Sequence, residues 1–161
     1  MDLKILIVYC SNYRSNTARI AEAMATKVGG KAMPLAAVSD SSMDPGEYDL
    51  IGIGSGVYRE SMSKKLFRAV EAWDLQEQNV FVFSTSGVGM KFYNNRLIRL
   101  LRTKRAKVMG SFACKGSFDA REFSDKKVFH WMGKQAQGHP DAKDIRDAES
   151  FAGQVLASVK S

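Results

Sequence analysis

Between Tyr9 and Ala21 the chain reads Y-C-S-N-Y-R-S-N-T-A-R-I-A, a polar turn set between an unbroken apolar run and a segment of helical period. The hydroxyls of Ser11, Ser15 and Thr17, the amide of Asn16, the backbone N–H groups of Tyr13 and Arg14 and the Arg14 guanidinium gather hydrogen-bond donors at the start of a helix. Unpaired N–H groups and the macrodipole favour an anion there, so on its own the turn reads either as an ordinary capped helix start or as a grip on a phosphate group, not as a centre for bond making. Two later segments have a similar character. Ser55, Gly56, Val57 and Tyr58 form one; Thr85, Ser86, Gly87, Val88 and Gly89, entered through Ser84, form the other. Small residues of this kind let backbone approach a flat ligand closely.

Groups that would do acid, base or nucleophilic work are poorly placed. Cys10 is followed by only three residues before Arg14, too short a loop to set thiolate and guanidinium around one phosphate as a low-molecular-weight phosphatase needs. The strand ends carry Tyr9, Cys10, Ser55 and Ser84, not the acidic cluster of a receiver-type signalling domain. His130 and His139 stand apart from any cysteine or acidic pair of ligand spacing, and no metal site is expected. Cys10 and Cys114 are too few for a disulfide framework. In a sheet ordered 2-1-3-4-5 their strand ends lie three spacings of about 4.8 Å apart, which predicts free thiols.

The elements that position these segments alternate. Ile5 to Tyr9 is a strand covered on both faces, followed by a helix whose apolar side is Ile20, Ala21, Met24, Ala25 and Val28. After Gly29 and Gly30, Lys31 to Val38 reads as a second strand, at an edge because of Pro34, and Ser39 to Tyr48 as a loop. Asp49 to Gly54 is a third strand, and Lys65 to Trp73 a helix facing inward through Leu66, Phe67, Val70 and Trp73. Asn79 to Phe83 is the fourth strand, Phe92 to Arg102 a helix with Phe92 and Tyr93 in its core side, and Ala106 to Ala113 the fifth strand. Phe118 to Gly138 has no sustained period and reads as an insertion. Asp141 caps a last helix with Asp144 in its first turn. Five strands alternating with helices predict parallel pairing in a three-layer α/β sandwich, one domain over residues 1–161. Ligands of such sheets bind beyond the carboxyl ends of the strands, which collects the three polar segments around one crevice.

With 161 residues, 45% of them apolar, and three prolines, the chain is a folded globular protein. Its apolar runs are too short to span a membrane, and Asp2 and Lys4 ahead of the first strand are unlike a secretion signal; a cytoplasmic protein is expected. The net charge of +7 is uneven: no acid occurs between Gln78 and Phe118, where Lys91, Arg96, Arg99, Arg102, Lys104, Arg105, Lys107 and Lys115 all fall. Such a block serves as a solvated helix face, as a dock for an acidic partner or as a nonspecific phosphate contact.

The three polar segments, in this order and spacing, resemble those of the flavodoxins and flavodoxin-like oxidoreductases. The likeness rests on the turn quoted above, on Y-D-L-I-G-I-G-S-G-V-Y (Tyr48 to Tyr58) and on F-S-T-S-G-V-G (Phe83 to Gly89), and runs over nearly the whole chain. A C-K-G at Cys114 to Gly116 and a G-H-P at Gly138 to Pro140 resemble the small microbial members. The resemblance implies the flavodoxin-like five-stranded parallel sheet in the order 2-1-3-4-5 and FMN as cofactor. Ser11, Ser15, Asn16 and Thr17 would donate to its phosphate, with the backbone of Tyr13 and Arg14. Ser55, Gly56, Val57 and Tyr58 would border one side of the flavin, Tyr58 stacking on it, and Thr85, Ser86, Gly87, Val88 and Gly89 the other. The implied function is electron transfer to a redox partner protein; an FMN-dependent reductase or oxidase of a quinone or porphyrinogen, using NAD(P)H or another small substrate, is the alternative, and a binding module without flavin a third. Two departures stand out. Ser15 replaces the glycine usual before the final Asn-Thr, and the chain is basic where flavodoxins are acidic, so an acidic protein is the expected partner and nucleic acid is not.

Overall fold

The computed structural model describes residues 2–11, 16–41, 44–58, 61–116 and 138–161. Tyr13, Arg14 and Ser15 of the first polar segment, and nearly all of the 118–138 insertion, lie outside them.

Five parallel strands form the sheet: β1 (Ile5–Cys10), β2 (Lys31–Pro34), β3 (Leu50–Tyr58), β5 (Asn79–Ser86) and β6 (Lys107–Lys115), in the order β2-β1-β3-β5-β6. That is the expected 2-1-3-4-5 order of parallel strands. A two-residue strand, β4 (Ser61–Met62), adds to β3 as an antiparallel hairpin, pairing Val57 with Met62 and Tyr58 with Ser61. Helices α1 (Asn16–Val28) and α5 (Ala142–Lys160) cover one face, and α3 (Lys64–Ala72) and α4 (Asn95–Thr103) the other.

Side-chain alternation along each strand sorts the core into two layers. Leu6, Val8, Ile51, Ile53, Val80 and Val82 point to α3 and α4, where they meet Leu66, Phe67, Val70, Leu97 and Leu101. Ile5, Ile7, Leu50, Phe81, Phe83 and Phe112 point to α1 and α5, against Ile20, Ala21, Met24, Ala148, Ala152 and Val155. A sheet buried on both sides needs continuous apolar runs, which is why Ile5 to Val8 contains no polar residue. Fully burying one such side chain contributes about 1.5–3 kcal/mol.

The third strand runs four residues beyond the Gly54 at which the sequence places its end. Gly52 and Gly54 are not turn residues. The Phe81 and Phe83 rings of β5 lie across them, and a Cβ at either position would sit 2.4 or 2.3 Å from a ring carbon. Two further expectations change. Only Lys31–Pro34 of the second strand is extended, and Leu35–Asp40, including residues read as loop, is a short helix, α2, that buries Leu35 and Val38. Pro34 has no N–H to give to a ladder, so pairing stops where it stands. Helix α1 closes with Gly29 at φ 71° and the Gly30 N–H donating to the Ala25 carbonyl at 2.8 Å, a left-handed helix end that favours glycine.

Candidate functional site

The strands end level with one another. Cys10 is in register with Ser55, Ser55 with Ser84, and Gly56 with Thr85, which in turn is beside Cys114. This shared register brings the three polar segments to one edge of the sheet, at the point where strand order reverses between β1 and β3.

Ser11 leaves β1 there, with its Oγ buried and without a hydrogen-bond partner among the described residues. Asn16 and Thr17 open α1 and are both buried. The Thr17 hydroxyl lies 2.9 Å from that of Thr85 at the end of β5, a buried bond that ties the helix start to the sheet. Gly116, just past β6, packs on Asn16 so closely that a Cβ would come within 2.8 Å of Nδ2. The C-K-G motif thus supports the first polar segment, a role that lies in tertiary packing and has no local sequence signal.

Ser55 is fully buried. Its Oγ donates to the Gly56 carbonyl at 2.6 Å and accepts from the Ser63 N–H at 3.0 Å, joining β3 to the start of α3. Gly56, Val57 and the Tyr58 backbone continue the strand into the β4 hairpin; the Tyr58 side chain is outside the described residues. Thr85 and Ser86 are the last residues of β5. The Ser86 Oγ accepts from the Gly89 N–H at 2.8 Å, and its carbonyl accepts from the Gly116 N–H at 2.9 Å. Gly87 and Val88 are half-buried in the turn between, and Gly89 has φ 67°, with a Cβ there 3.1 Å from the backbone of Cys114 and Lys115. Beyond the turn the chain makes a 3-10 turn, Lys91–Asn94, ahead of α4. Phe92, expected in the helix core, is instead 51% exposed, and the buried position belongs to Asn94, whose amide donates to the Phe112 carbonyl at 3.0 Å.

The two cysteines are free. Burial pushes the Cys114 thiol up to about 12, with Asp144 and Asp141 adding to it. Burial also raises Cys10, opposed by a hydrogen bond with Ser63 and by Lys65. Neither is a thiolate at neutral pH, so the edge offers hydroxyls, amides and backbone rather than a nucleophile.

His139 differs from expectation. It does have an acidic pair: its Nδ1 lies 2.5 Å from Asp144 Oδ2 and 3.7 Å from Asp141 Oδ2. Both carboxylates are engaged in a capping box, Asp141 Oδ1 accepting from the Asp144 N–H and Asp144 Oδ2 from the Asp141 N–H, each at 2.9 Å. The pair lies only two and five residues on, but the acids read as a helix start. Arg19 of α1 donates to the Pro140 carbonyl at 3.1 Å, linking this cap to the helix that begins at the site.

The profile of the flavodoxin domain matches residues 6–143. The chain belongs to the flavodoxin domain family. An uncharacterised protein of Methanocaldococcus jannaschii is 30% identical to this flavodoxin-family chain over 156 residues, covering 96% of it and 99% of the relative. Among solved structures, a flavodoxin from the domain Archaea superposes with a TM-score of 0.72 at 17% identity, over 99% of this chain and 100% of that one. Oxidised flavodoxin 1 from Bacillus cereus gives 0.63 at 16% identity, over 96% and 97%. Rubredoxin oxygen:oxidoreductase from Desulfovibrio gigas gives 0.67 at 14% identity, over 98% of this flavodoxin-family chain and 36% of that protein. These likenesses are of fold. No described helix is long and apolar enough to cross a membrane.

Proposed function

We propose that this flavodoxin-family chain binds FMN at the carboxyl edge of its sheet and passes electrons to a partner protein. The observation that carries this reading is the meeting of the first and third polar segments through Thr17 and Thr85, together with a buried Ser11 Oγ that has no hydrogen-bond partner among the described residues. An isolated buried hydroxyl costs about 1–3 kcal/mol, and an anion at the turn would repay it. The donor set fits a phosphate: hydroxyls and amides at a helix N-terminus, with no carboxylate in the segment.

In this reading Ser11, Ser15, Asn16 and Thr17, with the backbone of Tyr13 and Arg14, hold the phosphate, and Arg14 balances its charge. A phosphate dianion only accepts, so a Thr17 hydroxyl that donates to it must accept from Thr85, which fixes the direction of their bond. Residues 55–58 and 85–89 border the ring, backbone-first, with Tyr58 stacked on it. When bound, FMN supplies the redox chemistry, and the protein sets orientation and access. Burial keeps the thiols of Cys10 and Cys114 protonated, so neither serves that edge as a nucleophile. Free thiols suit a reducing compartment, and we take the cytoplasm as its place.

Titrating apo-protein with FMN and with riboflavin, read by quenching of flavin fluorescence, tests the reading. FMN is expected to bind at least about a hundredfold more tightly, since charge-assisted bonds to the phosphate are each worth roughly 1.5–3 kcal/mol. Gly116→Ala, which pushes on Asn16, should weaken FMN more than riboflavin. Equal affinity for the two ligands, or no quenching with either, would overturn it.

A further inference from the structure

We propose that Met90, Phe92 and the basic residues around them form a docking face for a negatively charged electron-transfer protein. This rests on the reading just given and names its partner class. Met90 and Phe92 are 50% and 51% exposed, the large apolar side chains left open among the described residues. They follow directly on the turn at Ser86 to Gly89, so an apolar contact made there lies beside the edge where the flavin is proposed. Lys91 stands between them, and Arg96, Arg99 and Arg102 are exposed on the helix that follows. None of these four is in an ion pair with an acid among the described residues, whereas Lys107, at the opposite end of the sheet, pairs with Glu77 at 3.5 Å; Arg96 lies over the Phe67 ring at 4.8 Å.

An apolar centre with a charged rim is the anatomy of a protein interface. Uncompensated charge of one sign on the rim selects a partner of the other sign and speeds encounter more than it tightens binding. The +7 net charge, concentrated on the acid-free stretch 79–117, makes that partner acidic. A nucleic-acid duplex would use the cations but, with its bases already stacked, would leave Met90 and Phe92 without a complementary surface; a single strand could stack on Phe92 and is the competing occupant that the test includes.

The test mixes the FMN-loaded protein in a stopped-flow instrument with a dithionite-reduced plant-type [2Fe–2S] ferredoxin of strongly negative charge. One electron leaves the cluster, which is oxidised, and the flavin is reduced by one electron. The rate constant should fall as salt rises. Lys91→Glu with Arg99→Glu should lower it about tenfold or more at low ionic strength and abolish the salt dependence. Phe92→Ala should slow it at every salt concentration. The cationic methyl viologen radical, a small donor, should reduce the charge-reversed variant at least as fast as the parent. Rates with ferredoxin unchanged in both variants overturn the docking face. Anisotropy of labelled ferredoxin with apo-protein keeps the face testable if no flavin binds: binding lost in the charge-reversed variant supports it, and no binding overturns it. A single-stranded 20-nucleotide RNA that binds more tightly than ferredoxin, whether or not Phe92→Ala weakens it, overturns it in favour of nucleic acid.

Discussion

The hydroxyls of Thr17 and Thr85 meet at 2.9 Å inside the protein, 68 residues apart in sequence. One opens a helix and the other lies at the end of a strand, so the bond holds the turn proposed to bind the phosphate against the segment proposed to border the flavin. Both residues are all but inaccessible to solvent.

Replacing either threonine by valine keeps the shape and leaves the other hydroxyl buried without its partner. Each single variant is expected to lose roughly 1–3 kcal/mol of stability. The double variant should lose less than the sum, because no orphan is left. Urea unfolding of the four apo-proteins measures this; strict additivity would mean that the two groups do not interact.

Gly54 lies directly under an aromatic ring of the next strand, a Cβ there meeting the Phe83 ring at 2.3 Å. Phe83 is fully buried and has nowhere to move. Gly54→Ala should therefore destabilise by about 1–3 kcal/mol, and Phe83→Leu in the same chain should recover part of the loss although it is costly alone. Thermal melts of the three variants decide the matter.

Cys114 should be silent toward thiol reagents in the native protein. With its thiol pushed up to about 12, only about one molecule in ten thousand is a thiolate at pH 8. A disulfide reagent at that pH is expected to label it only after unfolding by urea, with Cys10 reacting first. Rapid labelling of a Cys10→Ser variant in the native state would contradict this.

Asp141 gives the last helix a pH dependence of definite sign. The Asp144 N–H bond is the main cause holding its carboxyl below the ordinary value. A depressed carboxylate contributes above its unfolded pKa, about 3.9, and that contribution disappears as pH falls through the lower folded value. Asp141→Ala should have a lower melting temperature at pH 7, and the difference from the parent should shrink as pH drops below about 4. Melting curves recorded at both pH values would show parallel losses if the cap played no part.

Much of this was legible in the chain because period and burial agree. Ile5 to Val8 and the Ile20, Met24, Val28 stripe announced their elements, and Asp141 with Asp144 announced a helix start. The errors share a physical cause, tertiary context overriding local composition. Ile51 to Gly56 carries three glycines and looks like a strand breaking into a turn, whereas Gly52 and Gly54 make room for rings one strand away. Leu35 to Val38 looks extended but has enough apolar surface on one side to pack as a helical turn. Phe92 looked like core because aromatic residues usually are, and only the 3-10 turn that rotates it outward reveals otherwise. The convergence of the polar segments followed from topology; the Thr17–Thr85 bond and the support of Asn16 by Gly116 did not, since each joins elements far apart in sequence.

The sheet's margin at β2 has a consequence for how copies of this chain behave in a crowded solution. That strand is only four residues long, ends in a proline and turns at once into α2. A border so brief, with a missing donor, is a poor template for a neighbouring chain to extend, so this side of the protein resists edge-to-edge polymerisation without needing a partner to shield it.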